Sequence, residues 1–67
     1  MKKILNFALR ENRPCIIYYQ GKDEITRRKI LISKIYEDKI YAYCYLREKN
    51  RYFKIENILS CVLEERG

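Results

Sequence analysis

Ile40-Tyr41-Ala42-Tyr43-Cys44-Tyr45-Leu46-Arg47, continued by Glu48-Lys49-Asn50 and Arg51-Tyr52-Phe53-Lys54-Ile55, is the stretch on which the fold turns. Side chains on a strand have period two, so Ile40, Ala42, Cys44 and Leu46 point one way and Tyr41, Tyr43, Tyr45 and Arg47 the other. The first face is small and apolar and suits a core. The second is aromatic and ends in a guanidinium, an unusual surface to present to water. Glu48-Lys49-Asn50 has the polarity of a hairpin loop, after which Arg51 to Lys54 returns antiparallel and sets Arg51 across the hairpin from the tyrosine face.

Upstream, Ile4, Leu5, Ala8 and Leu9 form a stripe at helical spacing, with Phe7 beside it, and predict a helix over 2–12 that Asn12-Arg13-Pro14 ends. Cys15 to Gln20 is apolar, β-branched and aromatic and reads as a strand, and Gly21-Lys22-Asp23-Glu24 as a turn. The next strand runs from Ile25 or Thr26 to about Tyr36 and opens on Arg27-Arg28-Lys29, the densest basic run. Because successive side chains alternate, Arg28 diverges from both neighbours. Glu37-Asp38 turns the chain into the organising strand. Downstream, Ile55-Glu56-Asn57-Ile58 reads as one helical turn, and Leu59 to Glu64 as a last strand with Leu59, Cys61 and Leu63 inward.

A helix, five short strands and a helical turn before the last of them is the element order of a small, mainly β, five-stranded Sm-like β-barrel. Closure would remove the unpaired edges that invite aggregation. At 67 residues the chain is expected to be a single domain spanning 1–67: an N-terminal helix over 1–13, the barrel over 14–64 and a tail at 65–67. A chain of that size buries only about 60% of its extended surface, so a partner or a larger parent protein would add needed stability.

Charge and cysteine content narrow the function. Net charge is +6 with a pI near 9.4, which favours polyanionic partners. No apolar run reaches the length of a membrane span, and Asn6 and Arg10 break the run a signal peptide needs, so a cytoplasmic setting and no membrane partner are expected. Cys15, Cys44 and Cys61 make neither a CxxC pair nor, with no histidine in the chain, a zinc set, and read as buried small hydrophobes. No cofactor and no metal are expected. Without histidine the usual general base at neutral pH is missing, and two glycines build no phosphate-binding loop, so the chain is read as a non-enzyme.

Ile17-x-Tyr19, Thr26-x-Arg28, Ala42-Tyr43-Cys44-x-Leu46-Arg47 and Arg51-x-Phe53-Lys54-Ile55-x-x-Ile58, spread over residues 4 to 64, resemble the WYL domain, a bacterial module usually joined to a DNA-binding domain in transcriptional regulators. The naming Trp-Tyr-Leu tripeptide falls at Asp38-Lys39-Ile40, where only the aliphatic third position is kept. The resemblance implies a barrel with a positively charged groove that senses nucleic acid, often single-stranded, or a small anionic ligand. Carried over position by position, the groove candidates are Tyr19, Arg28, Tyr43, Tyr45, Arg47 and Arg51; Tyr45 stands where relatives often have histidine.

The residues alone lead the same way. Basic grooves with aromatic platforms bind single strands, with each stacked base contributing roughly 1–3 kcal/mol. The plainer possibilities are that the tyrosines pack under the helix or against Tyr52, that Arg27 to Lys29 form a solvated edge, and that Arg47 and Arg51 pair with Glu48 or Glu56. A reading from a different class makes the chain a protein-interaction or homodimerisation barrel with the Tyr43 face as its interface.

Overall fold

The structure is a computed structural model and describes residues 1–64; the tail expected at 65–67 lies outside the described residues. Helix α1 (Lys2–Arg10) buries Leu5 and Ala8 on the side facing the sheet and leaves its lysines in solvent. It stops earlier than the expected residue 12. Asn12 adopts φ 51°, its N–H donates to Leu9 O at 3.1 Å, and the Arg13 N–H donates to Ala8 O at 2.9 Å. This paired bonding is the Schellman stop, with asparagine tolerating the left-handed position and Pro14 barring a further turn.

Five antiparallel strands follow: β1 (Cys15–Gln20), β2 (Ile25–Ile35), β3 (Lys39–Cys44), β4 (Lys49–Lys54) and β5 (Ile58–Leu63), with a 3₁₀ turn at Ile55–Asn57 before the last. They form one sheet in the order β4-β3-β2-β1-β5. The fold is therefore mainly β with an N-terminal helix, as the sequence implies. The sheet is not closed into the expected barrel by hydrogen bonds: β4 and β5 are its two edges, with no ladder between them among the described residues. The sheet curls instead. Long β2 pairs with β1 through its first half and with β3 through its second, and its register shifts between Ile32 and Lys34, leaving Ser33 as an extra residue. A bulge of this kind bends the strand and tightens its twist. In a flat sheet β1 and β4 would lie three strand spacings of roughly 4.8 Å apart. The rings of Tyr19 on β1 and Phe53 on β4 have centroids 5.1 Å apart, edge to face.

The core fills the inside of this curl. Leu5 and Ala8 meet Cys15, Ile17, Ile30, Ile32, Ile40, Ala42, Cys44, Phe53, Ile58 and Cys61, all buried. Each large member contributes roughly 1.5–3 kcal/mol by leaving water. Ile40, Ala42 and Cys44 occupy the inner face as their alternation requires. Leu59 does not point inward as expected: Tyr18 pairs with Ser60 and Tyr19 with Ile58, so Leu59 is the extra residue of a second register shift and is exposed. Among the described residues no helix is long and apolar enough to cross a membrane.

Candidate ligand-binding cleft

Register decides which candidates share a face. Strand β1 meets β2 across the Gly21–Glu24 turn, closed by the Gly21 N–H donating to Glu24 O at 2.8 Å. That turn pairs Ile17 with Arg28 and Tyr19 with Thr26, so all four side chains lie on the inner face, while Arg27 and Lys29 go outward opposite Tyr18 and Ile16. At Gly21 a Cβ would come within 3.1 Å of Glu24 O, so the tight approach that closes the turn favours glycine.

The organising hairpin turns sooner than the sequence suggests. Strand β3 ends at Cys44, residues 45–48 form the turn with Glu48 at φ 55°, and β4 starts at Lys49. Tyr45 and Arg47 are therefore turn residues, and the alternation expected to carry them beside Tyr43 breaks off. Arg51 pairs with Ala42, and Tyr43 with Asn50. Directly paired residues share a face, so Arg51 lies inside, opposite the tyrosines it was expected to join.

Tyr19, Arg28 and Arg51 converge on one cleft of about 410 Å³, whose other lining residues are Gly21, Lys22, Asp23, Glu24 and Thr26. Arg28 is held in place: its Nε donates to Thr26 Oγ1 at 3.1 Å and its Nη1 reaches Cys44 Sγ at 3.6 Å. Burial alone would push the Cys44 thiol up; backbone N–H groups of Arg47 and Leu46 and the Arg28 guanidinium offset this and hold it below its ordinary range. Tyr19 is fixed at both ends, its ring against Phe53 and its hydroxyl accepting from the Lys54 N–H at 3.1 Å. Arg28 and Arg51 are both half-buried, and neither has a carboxylate within ion-pair distance among the described residues. Arg51 does not pair with Glu48 or Glu56.

The remaining candidates lie elsewhere. Tyr43 and Tyr45 make an edge-to-face pair at 5.1 Å, with Lys29 Nζ 4.8 Å over the Tyr45 ring and 2.9 Å from Glu64 Oε2. Arg47 is exposed in the turn. The outer face also carries Tyr41 against Tyr52, as the plainer possibility for Tyr41 has it. A second hollow, lined by Glu37, Asp38, Glu56, Ile55 and Lys54, is dominated by carboxylates and is unsuited to an anion. Sequence reasoning passed over Thr26 as a site residue, although the spacing Thr26-x-Arg28 places both on one strand face. The remaining buried thiols, Cys15 and Cys61, are free, and hydrogen-bonding proximity to Cys61 together with burial pushes the Cys15 thiol up.

No protein-family model matches the chain, and no curated protein matches it in sequence. Among solved structures it is similar to the proteasome accessory factor B/C of Arthrobacter aurescens, with a TM-score of 0.90 and 24% identity over 97% of this chain. The likeness shows the fold. The chain spans 11% of the length of that protein.

Proposed function

We propose that the chain is a non-catalytic binding module that takes an anionic ligand, single-stranded nucleic acid foremost, in the cleft of Tyr19, Arg28 and Arg51, and serves regulation in the cytoplasm. One observation carries the reading: two half-buried guanidiniums face one cleft with no carboxylate in ion-pair contact with either among the described residues. Removing a cation from water has a cost that a neighbouring carboxylate normally offsets. Where none does, an anion from outside is the natural partner, and a guanidinium fork grips a phosphate through two parallel bonds. Thr26 and Cys44 hold Arg28 ready for this, so less freedom is lost on binding. The residues that resemble the WYL domain, the net charge and the fold likeness to part of a proteasome accessory factor support the same reading.

The test is fluorescence anisotropy of a labelled single strand, DNA and RNA separately, at low and physiological salt, with a duplex of equal length as control. Tight binding of the single strand that survives physiological salt is expected, weakened at least about tenfold by alanine at both Arg28 and Arg51, or about 1.4 kcal/mol. Affinity unchanged in that double variant would sink the cleft assignment. The open edges of β4 and β5 favour a second reading, a module that pairs with a second copy or a partner protein, with Tyr43 in the interface. Concentration-dependent mass in light scattering, abolished by Tyr43→Ala with the fold intact, would select it.

A further inference from the structure

We propose that Tyr36, Tyr41 and Tyr52, with Lys34 and Lys39, form a second contact surface for single-stranded nucleic acid, on the side of the sheet away from the cleft. The choice of ligand rests on the functional reading above; the location does not.

Tyr41 and Tyr52 are paired across β3 and β4 with ring centroids 4.8 Å apart, and the Tyr36 ring stands 6.3 Å from that of Tyr52. The alternation that sends Ile40 and Phe53 into the core sends Tyr41 and Tyr52 out. Tyr52 is 57% exposed and Tyr36 37%, both large values for aromatic rings in contact with each other. Helix α1 covers the inner face, and no described element covers this one. Lys39 Nζ sits 4.8 Å from the Tyr52 centroid and 5.6 Å from that of Tyr36, and Lys34 Nζ is 5.3 Å from the Tyr36 centroid.

Neither lysine is in an ion pair among the described residues. The carboxylates of the intervening turn, Glu37 and Asp38, line the separate hollow with Lys54 and Glu56. The surface therefore combines exposed π faces with two ammoniums free to leave them. An apolar protein face has no use for cations lodged between rings. A base stacked on Tyr52 or Tyr36, with its phosphates beside Lys39 and Lys34, uses both groups at once.

The two surfaces meet at β4. Arg51 and Tyr52 are consecutive and point to opposite sides of an open edge strand, so a single strand leaving the cleft around that edge arrives at Tyr52. A strand long enough to reach both sites gains by effective concentration, and one of about four nucleotides fills only one.

The experiment uses labelled oligothymidylates of about four and about twelve nucleotides, both within the usual range of single-strand sites. They are titrated onto the whole chain carrying Tyr52→Ala, Tyr52→Phe or Lys39→Ala, alone and with both cleft arginines replaced by alanine. Tyrosine emission gives a second readout, since the chain has no tryptophan and a stacked base quenches the ring beneath it. Expected are a fivefold or greater loss for the longer strand with Tyr52→Ala, retention with Tyr52→Phe, and residual, Tyr52-dependent binding once the arginines are gone. Equal affinity of Tyr52→Ala and wild type, with unchanged circular dichroism, overturns the second surface and leaves the cleft standing. Binding that needs Tyr52 and Lys39 but ignores Arg28 and Arg51 does the reverse.

Discussion

On the inner face of the sheet, Cys15, Ile17, Ile30, Ile40, Ala42 and Cys44 are sealed beneath helix α1 and Phe53; on the outer face the same strands present Tyr41, Tyr43, Tyr52, Lys39 and Lys54. One step along a strand separates stability from display. The inner face becomes polar at Thr26, Arg28 and Arg51, around a cleft that no residue of α1 lines, and at Lys49 where β4 begins. In a chain this small, a cleft inside the curl takes space from the core, and Arg28 is placed there by Thr26 and Cys44, whereas the outer tyrosines rest on one another.

The largest expected effect tests that division directly. Phe53→Ala empties the centre of the core and undermines Tyr19, and should cost about 3–5 kcal/mol in denaturant unfolding. Tyr52→Ala, one residue away on the other face, should cost under about 1 kcal/mol. Equal losses would erase the distinction between the faces. Next, Asn12→Ala strains the left-handed stop of the helix that covers the inner face and should cost about 1–2 kcal/mol, while Asn12→Gly is close to neutral. Thermal melts of the pair resolve the difference, and a melt of the alanine variant matching wild type would show that the stop contributes nothing to the cover. The smallest effect is at the cleft wall. Tyr19→Phe keeps the edge-to-face contact with Phe53 and loses only the bond from the Lys54 N–H, for about 0.5–1 kcal/mol by equilibrium unfolding. A loss as large as that of Phe53→Ala would place Tyr19 in the core and not in the cleft.

The strands, their succession along the chain and most of the core are legible where alternation and turn residues agree: Ile40, Ala42 and Cys44 read as inward and are buried. Arg51 was misplaced for a definite reason. A loop at Glu48-Lys49-Asn50 puts Arg51 with the tyrosines, but the turn lies at 45–48 and pairs Ala42 with Arg51. The true turn gives up Tyr45 and Leu46, whose aromatic and apolar character reads as strand, and puts Glu48 at positive φ, a conformation with no mark in an ordinary residue. An odd slip in pairing flips every later side chain to the other face. The cleft itself is half-legible: the resemblance groups Tyr19, Arg28 and Arg51, but it adds Tyr43, Tyr45 and Arg47, which register and turn place elsewhere, and the meeting of β1 with β4 depends on curvature, which residue types do not spell out.

Ser33, the extra residue of β2, contributes to that curvature. Removing it would leave the facing of its neighbours intact, because Lys34 would still fall outside and Ile35 inside, as plain alternation demands. What would vanish is the extra residue that bends β2 and helps bring β4 around toward β1. The cleft is thus specified partly by arithmetic, one amino acid more on one strand than on its partner, and the chemistry of that amino acid is nearly free to drift. Substitutions at position 33 should be silent where a single-codon deletion is not, so descent from a common ancestor would preserve the count there long after it has lost the letter.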